Sequence, residues 1–206
     1  MKDFKIGKKL FVAFGSIGII LLIICGSSLY AIFSANIRTQ SLYNNNVVAI
    51  DAVGEMREAF QEERALTRDL VLYDSSSEEY KNTIAKIEAC DNDMQTAFDK
   101  YEPTVTEGED KAVFEQIKTT FSTEYKAYKT ELKAMTDKNV IEDSMTKLKS
   151  GAPILQTLTG DFDKLSELND QYAHDTLKKS ERGIILLVSI GAFIILLTIA
   201  TVIYFI

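Results

Sequence analysis

Three arginines, Arg57, Arg64 and Arg68, recur at spacings of seven and four residues. On a helix they fall within about 40° of one another and make a single stripe. The stripe adjoins an apolar line of Val53, Met56 and Phe60. Guanidinium is a planar fork of donors that matches carboxylate or phosphate. Like charges four residues apart, such as Arg64 and Arg68, repel unless an anion lies between them. The chemistry on offer is recognition of a small anion. The competing reading is ordinary surface pairing with Glu58, Glu62, Glu63 or Asp69, which is common and contributes little.

Other chemistries find little footing. The chain shows no nucleotide-binding glycine loop, no His-Glu-x-x-His and no nucleophile–histidine pair, so no catalytic role and no cofactor is expected. His174 is the only histidine and has no second ligand at metal spacing. Glu88, Asp91 and Asp93 form an acidic cluster without the glycine-bearing turn of a calcium loop, so no metal site is expected. Cys90 is the only cysteine outside the apolar runs, which excludes a disulfide within the polar domain. It reads as a small core filler, with an intersubunit disulfide as the alternative. Tyr125, Tyr128 and Tyr172 sit at helical spacing and read as core or rim.

The elements that must position the arginine stripe follow from hydropathy. Two charge-free apolar runs, residues 10–33 and 183–206, each exceed the roughly 20 residues a helix needs to cross a bilayer. They bracket a polar domain, residues 34–182, and follow a short tail, residues 1–9. Lys2, Lys5, Lys8 and Lys9 against Asp3 predict a cytoplasmic tail and hence an extracytoplasmic domain. Lys178, Lys179 and Arg182 weakly oppose this, and they can snorkel from the outer end of the second run. The rival for the first run is a cleaved signal peptide, but the run is about twice the usual apolar region of one. A lipoprotein site at Cys25 would want a small residue before it, where Ile24 stands. The domain carries 19 basic and 29 acidic residues, a net −10, and the tail +3, which together make the chain's −7. So acidic an exterior argues against binding nucleic acid or a lipid headgroup surface. The sequence ends at Ile206 inside the second run, and a cytoplasmic output module is expected beyond it.

Within the domain, apolar residues repeat at three and four. One series is Tyr80, Ile84, Ile87, Met94, Phe98 and Tyr101, with Cys90 or Asp91 where an apolar residue is due. A second is Val113, Ile117, Phe121, Tyr125, Tyr128, Leu132 and Met135. A third is Ile141, Met145, Leu148, Ala152, Leu155, Thr159, Phe162 and Leu165. Capping boxes at Ser76–Glu79 and Thr106–Glu109 mark helix starts. These signals predict helix 1 running to about Tyr73, helix 2 over 77–101, helix 3 over 107–136, a turn at Asp137-Lys138-Asn139, and helix 4 from about Val140 into the second apolar run. Gly151-Ala152-Pro153 reads as a kink, with the apolar register passing through it unchanged. The fold class is all-α: an antiparallel up-down-up-down four-helix bundle flanked by two transmembrane helices.

Depth in that bundle extends the candidate site. Arg64 lies nine residues below Tyr73, and a similar count down helix 4 from Val140 reaches the kink. The kink would free backbone carbonyls and turn Ser150, Gln156 and Thr157 toward a ligand held by Arg57, Arg64 and Arg68. Asp91 and Thr159 at expected core positions, and the two-helix stalk, suggest that a second copy completes the structure. Ser27, Ala31 and Ala35 at every fourth position permit close helix approach.

The chain resembles the four-helix-bundle sensor domains of bacterial methyl-accepting chemotaxis proteins, in the class of the aspartate receptor. The resemblance covers nearly the whole chain. It rests on the basic start Lys5-Ile6-Gly7-Lys8-Lys9-Leu10, the span–bundle–span layout and the arginines in the distal part of helix 1. It implies a homodimer with ligand at the dimer interface, arginines of helix 1 and polar groups of helix 4 around it, and a piston-like shift of helix 4. The expected function is a membrane-embedded chemoreceptor sensing domain that binds a small anionic metabolite, an amino acid or short carboxylate. Through the missing C-terminal part it would act on downstream cytoplasmic signalling proteins. The alternatives are a sensor of a histidine kinase or cyclase, and a membrane-tethered helical module that docks another protein.

Overall fold

The computed structural model describes residues 6–105 and 108–205. Lys2, Asp3 and Lys5, which carry much of the orientation argument, and Thr106 and Glu107, which begin the second capping box, lie outside the described residues. The chain divides into two compact units, Met1–Leu42 with His174–Ile206, and Tyr43–Ala173.

The first unit holds α1 (Ile6–Ser41) and the later part of α7 (Ala152–Phe205). Two helices among the described residues are long and apolar enough to cross a membrane. Their apolar side chains point outward: Phe11 is 81% exposed and Leu22 74%. Contiguous apolar surface of this kind is out of place in water and ordinary in a bilayer. The polar groups there are satisfied inside their own helix, as hydrocarbon requires. Ser27 and Ser28 donate to the Ile24 carbonyl at 2.9 and 2.8 Å, and Ser189 to that of Ile185 at 2.8 Å. Gly183 lets the Arg38 guanidinium lie where a Cβ would otherwise stand.

The second unit is the bundle. Its first helix comprises a π-helical turn at Leu42–Val47, α2 (Val48–Asp69) and a 3-10 turn at Leu70–Leu72. Its second is α3 (Glu78–Tyr101). Its third is α4 (Glu109–Thr120), a π-helical turn at Phe121–Tyr125, and α5 (Lys126–Thr136). Its fourth begins with α6 (Ile141–Ser150) and continues after Gly151 as α7. The fold is therefore all-α with four bundle helices, as expected. The cap of α3 falls one residue later than the sequence suggests. Ser77 accepts the Tyr80 N–H at 3.1 Å, while Ser76 is taken up by Asp74, whose carboxylate holds both its hydroxyl and its N–H. Asn139 closes the last turn at φ 56°, a conformation asparagine tolerates better than most residues.

Cross-helix pairs fix an antiparallel register. Lys100 bonds Asp51 and Glu55 across the first pair of helices at 2.6 and 2.7 Å. Tyr80 bonds Thr136 and Asp137 across the second pair at 2.8 and 2.6 Å. Arg57 meets Asp163 at 2.9 Å across the first and fourth. The core runs through Met56, Phe60, Met94, Phe98, Phe114, Ile117, Tyr125, Leu132, Leu158, Phe162 and Leu165. Cys90 fills the gap in the α3 series and is buried, whereas Asp91 is half exposed and paired to Lys129. Asp91 thus gives no sign of a second copy.

The fourth helix departs from its expected register. Ser144, Gly151 and Leu158 are buried in place of Met145, Ala152 and Thr159, while Phe162 and Leu165 are buried as expected. Above Leu158 this seam is built from small residues, and the reason lies in the third helix. A Cβ on Gly151 would fall inside the Tyr128 ring. Tyr128 occupies the one-residue break between α6 and α7, and its hydroxyl donates to the Leu148 carbonyl at 3.3 Å. Gly151→Ala is expected to lower stability by about 1–3 kcal/mol through overpacking. The loss should be strongly non-additive with that of Tyr128→Leu in a double-mutant unfolding cycle. Additive losses would show that the two residues do not meet.

Candidate functional site

A groove of about 790 Å³ opens between the first and fourth bundle helices. One wall is α2, with Gln61, Arg64, Ala65, Thr67 and Arg68. The other is Leu148 and Lys149 of α6, with Ala152, Leu155, Gln156, Thr159, Gly160 and Asp163 of α7. Tyr125 and Tyr128 of the third helix form the floor. The groove exists because small residues face one another across it, and because Tyr128 packs down onto Gly151 instead of filling the space.

Of the residues singled out in the sequence, Arg64, Arg68 and Gln156 line this groove together. The Arg57–Asp163 register sets Arg64 level with Gln156, about one turn further along the fourth helix than depth counting suggests. Arg57 lies at the edge, engaged with Asp163, which itself lines the groove. Ser150 and Thr157 do not line it. The Ser150 hydroxyl turns back to the Lys147 carbonyl at 2.7 Å, and Thr157 is exposed. Lys149, Thr67, Tyr125 and Tyr128 belong to the lining and were not foreseen as site residues. The only sequence signal for them was helical spacing of the tyrosines and, for Lys149, a place beside the predicted kink.

The electrostatics are lopsided. Among the described residues Arg64 and Lys149 make no ion pair, and Arg68 meets only the carboxylate of its neighbour Asp69, at 3.5 Å. Three cations thus gather on one stretch of an acidic domain, with Asp163 as the single acidic side chain in the lining. Burial pushes the Tyr128 phenol up, and the positive charge of Arg64 opposes it. The Tyr125 phenol is raised well beyond the ordinary range, chiefly by burial. Thr67 stands beside it, yet neither hydroxyl makes a well-formed hydrogen bond. Pro153 has no N–H, so the Lys149 carbonyl lacks its usual helical donor.

Beneath the floor lies a second charged group. Glu63 is fully buried and accepts from Lys129, which also bonds Asp91 at 2.6 Å. The Lys129 ammonium sits 5.3 and 5.1 Å from the ring centres of Phe121 and Tyr125, within cation–π range. The Glu63 Oε2 has no partner. Burial raises the Glu63 carboxyl to about 7 even though Lys129 opposes the shift. Cys90 nearby is pushed up to about 11 by burial and by the surrounding carboxylates, which keeps it a protonated thiol. Among the described residues no group of three or more His, Cys, Asp or Glu side chains is placed to hold a metal ion.

A four-helix bundle carried on a chain with two helices apolar enough to cross a membrane is the layout of a sensor-type signalling module. Residues 3–183 match the family described as a four helix bundle sensory module for signal transduction, and the chain belongs to that family. It fits the sensor domain of a methyl-accepting chemotaxis protein. No curated protein and no solved structure shows a significant match.

Glu63 makes stability pH-dependent in a definite direction. Its carboxyl holds a proton more tightly folded than unfolded, so this contribution is full below about 4.5 and is lost as pH rises through about 7. Comparing chemical unfolding of the full chain at pH 5 and pH 8, Glu63→Gln should lose less stability than the parent, by on the order of 3 kcal/mol. Equal losses in the two proteins would move the effect to another group.

Proposed function

We propose that the chain is the sensing part of a homodimeric chemoreceptor, with the bundle extracytoplasmic and a small organic anion as its direct ligand. The observation that carries the reading is the cluster of Arg64, Arg68 and Lys149 in one groove of an otherwise acidic domain. Two neighbouring guanidinium groups repel until an anion joins them, and charge-assisted bonds to a carboxylate are among the stronger polar contacts. The proposal assigns binding and signalling, and no catalysis.

The mechanism uses the walls of the groove. Arg64 and Arg68 stand on the first bundle helix, Lys149 and Gln156 on the fourth. An anion bridging them favours one longitudinal setting of the fourth helix over another, and a ligand shifts an equilibrium only by such differential affinity. α7 continues as one helix from Ala152 to Phe205, which gives the displacement a path toward the second apolar run and the cytoplasmic signalling proteins.

A protein-docking reading has one observation on its side. Leu72 and Ile141, at the end of the bundle beside the turn at Asn139, are largely exposed apolar side chains.

The deciding measurement is thermal unfolding of the full chain in nanodiscs against a panel of organic anions. A ligand at 100 times its dissociation constant should stabilise by about 2.7 kcal/mol, and the shift should vanish in Arg64→Ala. A shift that survives Arg64→Ala would overturn the assignment of the groove. Silence across the whole panel, with dimers intact, would favour docking.

A further inference from the structure

We infer that the buried side chain of Glu63 is a proton-binding site through which the bundle reads pH, and that the Tyr125–Tyr128 pair carries the reading to the fourth helix at Gly151. The inference adds a stimulus to the anion proposal and does not rest on it.

The site has room for one proton and a reason to take it. Glu63 is fully buried, its Oε1 accepts from Lys129, and its Oε2 has no partner. A buried carboxylate oxygen without a donor is costly, and a proton removes the charge that water no longer reaches. Lys129 also bonds Asp91 at 2.6 Å, so two carboxylates compete for one ammonium. Asp91 is half exposed and keeps its charge with the help of water, which leaves the proton to Glu63.

The surroundings leave Glu63 as the group that titrates. From the second helix Asp91 and the Cys90 thiol face it, and from the third Lys129 and the Tyr125 phenol. Glu62 and Arg64 flank it on its own helix. The fourth helix presents Lys149 and Asp163, both to the groove on the other side of the tyrosine floor. Burial holds Cys90 and Tyr125 in their protonated forms. Burial likewise raises the Glu63 carboxyl to about 7, against the pull of Lys129. The proton is therefore bound below that pH and released above it. On release the trio of Glu63, Lys129 and Asp91 passes from neutral to singly negative inside the bundle.

The Lys129 ammonium is the part that responds. It is divided between two carboxylates when Glu63 is charged, and Asp91 alone holds it when Glu63 is neutral. It lies 5.3 and 5.1 Å from the ring centres of Phe121 and Tyr125, so its displacement changes the field on both. Those two residues begin and end the π-helical turn of the third helix, an irregularity frequent at functional sites. Tyr125 stacks on Tyr128 at 6.0 Å between centres. Tyr128 in turn leaves no room for a Cβ on Gly151 and donates to the Leu148 carbonyl at 3.3 Å. Close packing passes the displacement of a ring to the backbone it touches.

The test uses the full chain in nanodiscs at pH 6 and pH 8, in an amine buffer with no organic anion and with empty nanodiscs as the blank. Infrared difference spectra read the carbonyl stretch of a protonated carboxyl. Hydrogen exchange, corrected for its intrinsic pH dependence, reads protection of the amides of residues 148–155. The expected result is a carboxyl band at pH 6 that is absent at pH 8, with at least a tenfold change in protection. Glu63→Gln, which imitates the neutral acid, should lose both. Tyr128→Leu should keep the band and lose the change in protection. Asp91→Asn leaves Lys129 wholly to Glu63 and should weaken proton binding about tenfold, moving the midpoint of the band down by about one pH unit. That variant decides the matter should Glu63→Gln fail to fold. A band that survives Glu63→Gln, or a midpoint unmoved by Asp91→Asn, would overturn the proton site. Protection equal at the two pH values, or changing alike in Tyr128→Leu, would overturn its transmission to the fourth helix.

Discussion

The contact between the Tyr128 ring and Gly151 governs the distal half of the bundle. It requires glycine, because any side chain there would enter the ring. It draws the third and fourth helices together at one height and lets the fourth and first stand apart just beyond it. Tyr128 is stacked on Tyr125, which meets Phe60 edge-on at 5.5 Å and Phe121 at 5.4 Å. The floor of the groove is thus an extension of the aromatic core and inherits its rigidity. Preorganised polar walls on a rigid floor are what a selective site needs, since less ordering remains to be done on binding.

Glu63, Lys129 and Asp91 tie the first three helices from within. A buried ion pair contributes little net stability after desolvation, but it penalises every arrangement in which one member loses its partner. A slip of α5 along α2 would strand Glu63 in the core, so the group favours one register. Its place directly below Tyr125 means the same lysine that neutralises Glu63 also faces the underside of the floor.

The helices, their order and most of their ends were legible because each depends on local signals: apolar spacing, serine caps, an asparagine turn. The stripe of Arg64 and Arg68 was legible for the same reason. The upper seam of the fourth helix was not, because Ser144 and Gly151 carry no apolar signature while Met145 and Ala152, one residue on, do. Extending the heptad of Leu158 and Leu165 backward would have found it. Lys149 and the buried Glu63–Lys129 pair depend on residues far apart in the chain, and no local pattern announces them. The π-helical turns at Leu42–Val47 and Phe121–Tyr125 likewise follow from packing that spacing alone does not encode.

The aromatic floor has a spectroscopic consequence. The chain contains nine tyrosines and no tryptophan. Its ultraviolet emission is therefore pure phenol fluorescence, unquenched by energy transfer to indole. Tyr125 and Tyr128 are close enough to exchange excitation with each other, and they border the space a ligand would enter. The molecule carries its own optical probe at the groove, and a single tryptophan placed elsewhere would serve as a distance gauge to it without a chemical label.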